Sequence, residues 1–74
     1  MTLGELLREK REKARYSQRA LAKLLGVFYQ QIQNWETNRQ EPRIGVLFSM
    51  CKLLDISLEE LRAVVLSNEV DPVK

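Results

Sequence analysis

Residues that bind transition metals or cross-link chains are almost missing from this sequence of 74 residues. It has no histidine and one cysteine, Cys51, so no disulfide can form within one chain and no metal site is expected. A single cysteine suits a reducing compartment. The sequence also has no nucleophile–base pair and no glycine-rich phosphate loop. We therefore predict no enzyme and no cofactor.

Long apolar runs are absent as well. No segment approaches the roughly 18 consecutive apolar residues that a membrane-spanning helix requires. No charged-then-apolar leader with a cleavage site opens the chain. We expect a soluble, cytoplasmic protein without a membrane partner. A chain of this length holds a small core and often depends on self-association.

Charge is distributed unevenly along the chain. Residues 1–43 contain nine Lys and Arg residues against five Glu, whereas residues 44–74 contain three against five acidic residues. A basic half beside a mildly acidic half indicates one surface that attracts polyanions such as nucleic acid. The alternative is an ordinary solvated helix surface, because Glu9 and Glu12 lie among the basic residues of 8–15.

Apolar residues recur at helical spacing in five segments, and no pattern indicates a strand or a repeat. Capping-box spacing at Thr2 and Ser57 predicts the starts of the first and fifth helices. Ser17 is a good N-cap for the second helix, which Gly26 ends, and Asn38 is the αL residue expected after the third. The predicted helices cover about 2–14, 17–26, 28–37, 43–54 and 57–66. The prediction is an all-α, compact five-helix domain over residues 1–66 with a flexible C-terminal tail over residues 67–74.

Each of the last four helices has a predicted apolar face. These faces contain Leu21, Ala22, Leu24 and Leu25 in the second helix, Ile32 and Trp35 in the third, Ile44, Leu47, Met50, Cys51 and Leu54 in the fourth, and Leu58, Leu61, Val64 and Val65 in the fifth.

The third helix has an unusual outward face. Tyr29, Gln30, Gln33 and Asn34 lie opposite its apolar residues. Amides and a phenol without charge are uncommon on a solvated helix, yet Gln and Asn can make bidentate contacts to adenine. This face is the first indication of nucleic-acid binding.

The order and spacing of several residues resemble the lambda repressor/Cro family of helix-turn-helix proteins, also called the xenobiotic-response-element type. The matching positions run from about Leu3 to Leu61 and include Gln18, Leu21-Ala22, Gly26-Val27, Ile32, Glu36, Pro42, Leu47, Leu54 and Ile56-Ser57. The resemblance implies a compact five-helix DNA-binding domain with a central helix-turn-helix. It also implies a Cro-like transcriptional regulator, such as a repressor, that acts as a homodimer on a two-fold operator in double-stranded DNA.

The resemblance implies that the third helix, residues 28–37, lies in the major groove. The expected base contacts are Phe28, Tyr29, Gln30, Gln31, Gln33 and Asn34. The expected phosphate contacts are Gln18, at the start of the second helix, and Arg19, Arg39 and Arg43. The alternatives are a polar face without a partner and ordinary exposed arginines.

An ion pair between Arg11 and Glu36 is implied in the same way. Glu36 lies on the inner face of the third helix with Ile32, where a bare carboxylate would be costly. The family pairs this glutamate with an arginine of the first helix, which is Arg11 here.

Three positions depart from the family pattern. Phe28 replaces the usual Ser or Thr N-cap of the third helix and cannot cap. It either packs inward, which we favour, or contacts a thymine methyl group. Arg15 and Asp55 stand where glycine is common after the first and fourth helices, which puts those turns in question.

The chain offers one candidate dimer interface and one alternative function. Val64, Val65, Leu66 and Val70 form an apolar strip near the C-terminus that either pairs two copies or completes the core of one. The alternative function is a protein-interaction module of the same fold, such as an antitoxin that binds a partner protein.

Overall fold

Five α-helices make up most of residues 1–68, the part of the chain that the computed structural model describes. They are α1 (Leu3–Lys13), α2 (Gln18–Leu25), α3 (Tyr29–Glu36), α4 (Ile44–Leu54) and α5 (Leu58–Asn68). The all-α, five-helix prediction is confirmed. Helix α5 continues two residues past the predicted domain end, and residues 69–74 of the predicted tail, with Val70, lie outside the described residues. None of the helices within 1–68 is long and apolar enough to cross a membrane.

Side chains cap the starts of α1, α2 and α5, as the sequence predicts. Thr2 Oγ1 accepts from the backbone N–H of Glu5 at 3.1 Å, and Glu5 Oε1 accepts from the N–H of Thr2 at 2.8 Å. Ser57 and Glu60 form the same reciprocal pair at the start of α5, with both bonds at 3.0 Å. Ser17 Oγ accepts from the N–H of Ala20 at 3.0 Å. These bonds satisfy amides that a helix start leaves without partners.

The core lies where α3 packs against α1 and α2, with α4 and α5 closing it from the other side. Its fully buried side chains are Leu7, Leu21, Ile32 and Met50. Trp35 is buried, as its phase with Ile32 predicts. Cys51 is half-buried beside the core, where burial raises the pKa of its thiol.

Three predicted core residues are exposed instead: Leu24, Ile44 and Leu58. In α2, the buried residues Leu21 and Ala22 define the inner arc, and at 100° per residue Leu24 lies about 110° from its centre. Ile44 and Leu58 are the first residues of their helices and also lie at the edge of the buried arc. Short helices bury a narrow stripe, so apolar residues at its edge face solvent.

The turns that lack the family's glycines keep a left-handed backbone. Arg15 has φ 65° and Asp55 has φ 57°, and Asn38 has φ 63° as predicted. The αL conformation costs an L-residue roughly 1–2 kcal/mol, less for Asn and Asp. The two departures therefore strain the turns locally and leave the helix arrangement intact.

Candidate nucleic-acid interface

The turn between α2 and α3 fixes the geometry of the candidate site. Gly26 ends α2 in the left-handed conformation, with φ 71°. The N–H of Val27 donates to the carbonyl of Ala22 at 3.0 Å. Phe28 is then extended, and α3 starts at Tyr29. Glycine at this position allows the sharp change of direction without steric cost.

The outer face of α3 offers free amides. Gln30 and Gln33 are exposed, and neither side chain has a hydrogen-bond partner among the described residues. Asn34 is half-buried, and its side-chain amide is likewise unengaged within the described part of the chain. The single carboxylate of α3, Glu36, is buried on the opposite side. The outward face therefore carries donors and acceptors without negative charge.

Phe28 is exposed, contrary to the packing that we favoured from the sequence. Its exposed fraction is 76%. As the N-cap residue it lies ahead of the first turn of α3, beyond the reach of the core. It makes no side-chain cap; instead Gln31 Oε1 accepts from the N–H of Phe28 at 3.0 Å. Gln31 thus uses its side-chain oxygen to cap the helix start, and its amide N–H groups have no partner among the described residues.

Tyr29 lies at the boundary between the core and the outer face. The side chain is half-buried and packs against the core cluster. The guanidinium of Arg19 lies over its ring, with Cζ 4.0 Å from the ring centroid. The second residue of α2 and the first residue of α3 are therefore linked by a cation–π contact.

A buried carboxylate joins α1 and α2 to the end of α3. Arg11 donates through Nε to Glu36 Oε2 at 2.6 Å and through Nη2 to Glu36 Oε1 at 3.1 Å. Its Nη1 donates to the carbonyl of Tyr16 at 2.8 Å. Both side chains are almost fully buried. The hydrogen bond to Glu36 raises the pKa of Arg11 above its ordinary value.

Gln18 is hydrogen-bonded to the same carboxylate, that of Glu36. Its Nε2 donates to Glu36 Oε1 at 3.0 Å. Glu36 therefore binds both Arg11 and Gln18, the first residue of α2. The side-chain oxygen of Gln18 has no partner among the described residues, and the side chain is half-buried. The Arg11–Glu36 ion pair therefore orients the side chain of Gln18, which is expected to contact a phosphate.

The other end of α3 leads into the basic loop. The N–H groups of Arg39 and Gln40 donate to the carbonyl of Asn34 at 2.9 and 3.2 Å. Gln33, Asn34, Thr37 and Arg39 line a shallow polar recess of about 270 Å³. Arg43 is the exposed N-cap residue of α4 and makes no side-chain cap. Arg39 and Arg43 thus lie exposed on the loop that leaves α3.

Gly4, which the sequence patterns did not single out, and Asn38, predicted only as an αL residue, set the position of α3. Gly4 is buried, and a Cβ there would lie 2.5 Å from the carbonyl oxygens of Trp35 and Glu36. Asn38 Oδ1 accepts from the N–H of Gly4 at 3.0 Å, and Asn38 Nδ2 donates to Thr2 Oγ1 at 2.9 Å. The sequence feature that could have indicated this close approach is the glycine inside the Thr2–Glu5 capping box. The start of α1 is thereby clamped to the end of α3.

A salt bridge between α1 and α5 was also missed. Lys10 Nζ lies 2.7 Å from Glu60 Oε2. The bond from Lys10 lowers the pKa of Glu60 to about 2, and the bond to Glu60 raises the pKa of Lys10. Glu60 therefore both caps α5 and ties it to α1.

Comparison with known proteins agrees with the helix-turn-helix arrangement of α2 and α3. The sequence profile of the helix-turn-helix family matches residues 7–61. The chain is 35% identical over 57 residues to the HTH-type transcriptional regulator DicA of Escherichia coli, covering 77% of this chain and 42% of that protein. It is 31% identical over 61 residues to the HTH-type transcriptional regulator ImmR of Bacillus subtilis, covering 82% of this chain and 48% of that protein. The chain thus spans less than half the length of these relatives. No solved structure gives a significant match.

Proposed function

Because this chain belongs to the helix-turn-helix family of the lambda repressor/Cro type, we propose that it is a cytoplasmic transcriptional regulator that places α3 in the major groove of double-stranded DNA. A recognition helix in this arrangement presents its N-terminal residues to base edges. Occupying an operator would then regulate transcription of the adjacent gene.

The uncharged amide face of α3 is the observation that supports this proposal. Gln30, Gln33 and Asn34 keep their side-chain amides free, and each bidentate amide–adenine contact discriminates by roughly 1–3 kcal/mol. Exposed Phe28 is suited to a thymine methyl group. Tyr29 and the amide of Gln31 are further base contacts in the proposal.

Phosphate contacts are proposed on both sides of α3. Gln18 and Arg19 lie in the first turn of α2, where helix amides and the dipole favour an anion. Arg39 and Arg43 are exposed on the loop after α3. Each arginine that neutralises one phosphate should contribute about 0.9 to the slope of log affinity against log salt concentration.

A homodimer on a two-fold operator is proposed because one half-site gives so small a protein few contacts. Val64 is buried in the single chain, so it completes the core and is unavailable to a second copy. Leu66 is 56% exposed and Val65 is half-buried, which leaves a narrower strip than the sequence suggested. Sedimentation equilibrium at micromolar concentration, with Leu66→Glu beside the wild type, tests this interface. A wild-type chain that sediments only as a monomer would contradict the proposed homodimer.

Selection from a random DNA library tests the proposed docking. The wild-type chain should enrich a two-fold motif. The triple variant Tyr29→Ala/Gln30→Ala/Asn34→Ala should lose that preference while retaining salt-dependent binding to unrelated DNA. A Glu59→Ala/Arg62→Ala variant, altered at exposed positions of α5, is the matched control and should select the same motif as the wild type. An unchanged motif from the triple variant would contradict the placement of α3.

An interaction with another protein is the alternative function, and one surface favours it. An open groove of about 750 Å³ lies between α2 and α4, with apolar residues Leu24, Ile44 and Leu53 exposed along it and Arg43 and Lys52 at its edge. Exposed apolar surface of this kind often marks a protein contact. Salt-insensitive binding of a co-purifying protein, without DNA selection, would favour this alternative.

A further inference from the structure

The contact between Arg19 and Tyr29 joins a predicted phosphate-binding residue to a predicted base-contacting residue. Arg19 is the second residue of α2, and Tyr29 is the first residue of α3. The guanidinium carbon lies 4.0 Å above the centre of the phenol ring, which is van der Waals contact between the two planar groups. The sequence by itself predicts a separate role for each residue.

The surroundings of Tyr29 leave its ring few alternatives. One part of the side chain packs against the core cluster, and the guanidinium covers one face of the ring. A change of rotamer would give up the core contact, the cation contact or both. A cation–π contact at an exposed site favours the stacked rotamer by about two- to fivefold. Arg19 thus restricts the orientation of the phenol before any ligand arrives.

Stacking and phosphate binding are compatible for an arginine. A guanidinium that stacks on an aromatic ring meets it with its flat face, whereas its N–H groups point outward in its own plane. Arg19 has no carboxylate partner among the described residues, so those N–H groups are available to an anion. One side chain can therefore hold Tyr29 and a DNA phosphate simultaneously.

We propose that Arg19 is a positioning residue that determines sequence specificity through Tyr29, in addition to attracting phosphate. The inference rests on the proposed docking of α3 in the major groove. Neutralising a phosphate raises affinity for every DNA sequence, whereas fixing the phenol raises affinity for the sequence that Tyr29 contacts. The difference between those two effects makes the positioning role measurable.

The first experiment is made on the free protein and needs no DNA. Proton NMR should show the Arg19 side-chain δ-protons shifted upfield by the ring current of Tyr29. In Tyr29→Leu, which keeps an apolar side chain against the core, the shift should disappear, while the δ-protons of Arg39 stay unchanged. Arg19 protons at ordinary positions in the wild type would overturn the inference.

The second experiment measures coupling on DNA. Affinities for a fragment selected by the wild type and for an unrelated fragment of equal length are compared for Arg19→Lys, Tyr29→Leu and the double variant. Lysine keeps the charge but loses the flat stacking surface. Arg19→Lys should lower the ratio of specific to non-specific affinity by about two- to fivefold, with the salt slope unchanged. In the Tyr29→Leu background the same substitution should leave the ratio unchanged.

The outcomes separate this inference from the proposed function. Equal effects of Arg19→Lys in both backgrounds, on a wild type that selects DNA, would overturn the positioning role and leave the docking of α3 intact. A wild type that selects no DNA would overturn the proposed function and this inference with it, although the ring-current shift would still establish the contact. Arg39→Lys is the matched control, and its effect should be the same with and without Tyr29.

Discussion

Replacing Glu36 with glutamine keeps the shape of the side chain and removes the charge that Arg11 faces. The carboxylate is almost fully buried and accepts three hydrogen bonds, two from Arg11 and one from Gln18. Removing one partner of a buried ion pair typically costs about 3–5 kcal/mol because the other charge stays buried. The glutamine would also turn its own N–H groups toward one of these donors.

That loss is large for so small a domain. At 0.05–0.15 kcal/mol per residue, a chain of this length has a free energy of unfolding of about 4–11 kcal/mol. Each kcal/mol shifts the melting temperature by about 4–8 °C in a domain of this size. Glu36→Gln should therefore lower Tm by more than about 10 °C, measured by circular dichroism, and the Tyr16 carbonyl contact of Arg11 should not compensate.

Two further variants isolate the cause. Glu9→Gln makes the same chemical change at an exposed carboxylate of α1 that has no salt bridge among the described residues, and should alter the free energy of unfolding by less than about 0.5 kcal/mol. The double variant Arg11→Met/Glu36→Leu removes both charges and should recover much of the loss. A melting temperature of Glu36→Gln within a few degrees of the wild type would refute the buried-pair argument.

Three other predictions concern different parts of the molecule. Gly4→Ala should destabilise the domain by more than about 1 kcal/mol in urea unfolding, because the new methyl group meets the backbone at the end of α3. Gly45→Ala has open space around the new methyl group and should stabilise the domain by about 0.5–1 kcal/mol. Equal effects of the two substitutions would contradict the close packing of Gly4 against α3. Because the pKa of Glu60 is about 2 in the folded chain against an ordinary 4.5, its stabilising contribution is complete above pH 4.5 and is lost as pH falls toward 2. Between pH 4.5 and 2, the free energy of unfolding of Glu60→Gln should therefore fall less steeply than that of the wild type. A variant that lacks the Lys10 side chain should behave in the same way. Phe28→Ala should change the free energy of unfolding by less than about 0.5 kcal/mol but weaken DNA selection, and a marked loss of stability would contradict its exposed position.

The helices and their caps could be predicted because they depend on neighbours in the sequence. The capping boxes at Thr2 and Ser57 follow from residue spacing, and the left-handed ends at Gly26 and Asn38 follow from residue type. The family resemblance added the pairing of Arg11 with Glu36, which no local pattern shows. In α3 the inward side was predicted correctly, because Ile32, Trp35 and Glu36 are all buried.

Positions that depend on how far apart the helices lie were not predicted. Leu24, Ile44 and Phe28 are apolar, but hydrophobicity alone does not tell which arc of a short helix its neighbours cover. The close approach of Gly4 to α3 and the stacking of Arg19 on Tyr29 are set by distances between helices. Neither distance is encoded in the period of the sequence.

The free amides of α3 have a consequence for how such a protein changes over generations. The side chains of Gln30 and Gln33 make no hydrogen bond among the described residues, so exchanging them for other polar side chains should cost little stability. Glu36 and Gly4, which orient the helix, lie on the opposite side and can remain fixed. Under the proposed docking of α3, the preferred DNA sequence can therefore drift by single substitutions while the scaffold stays under separate constraint.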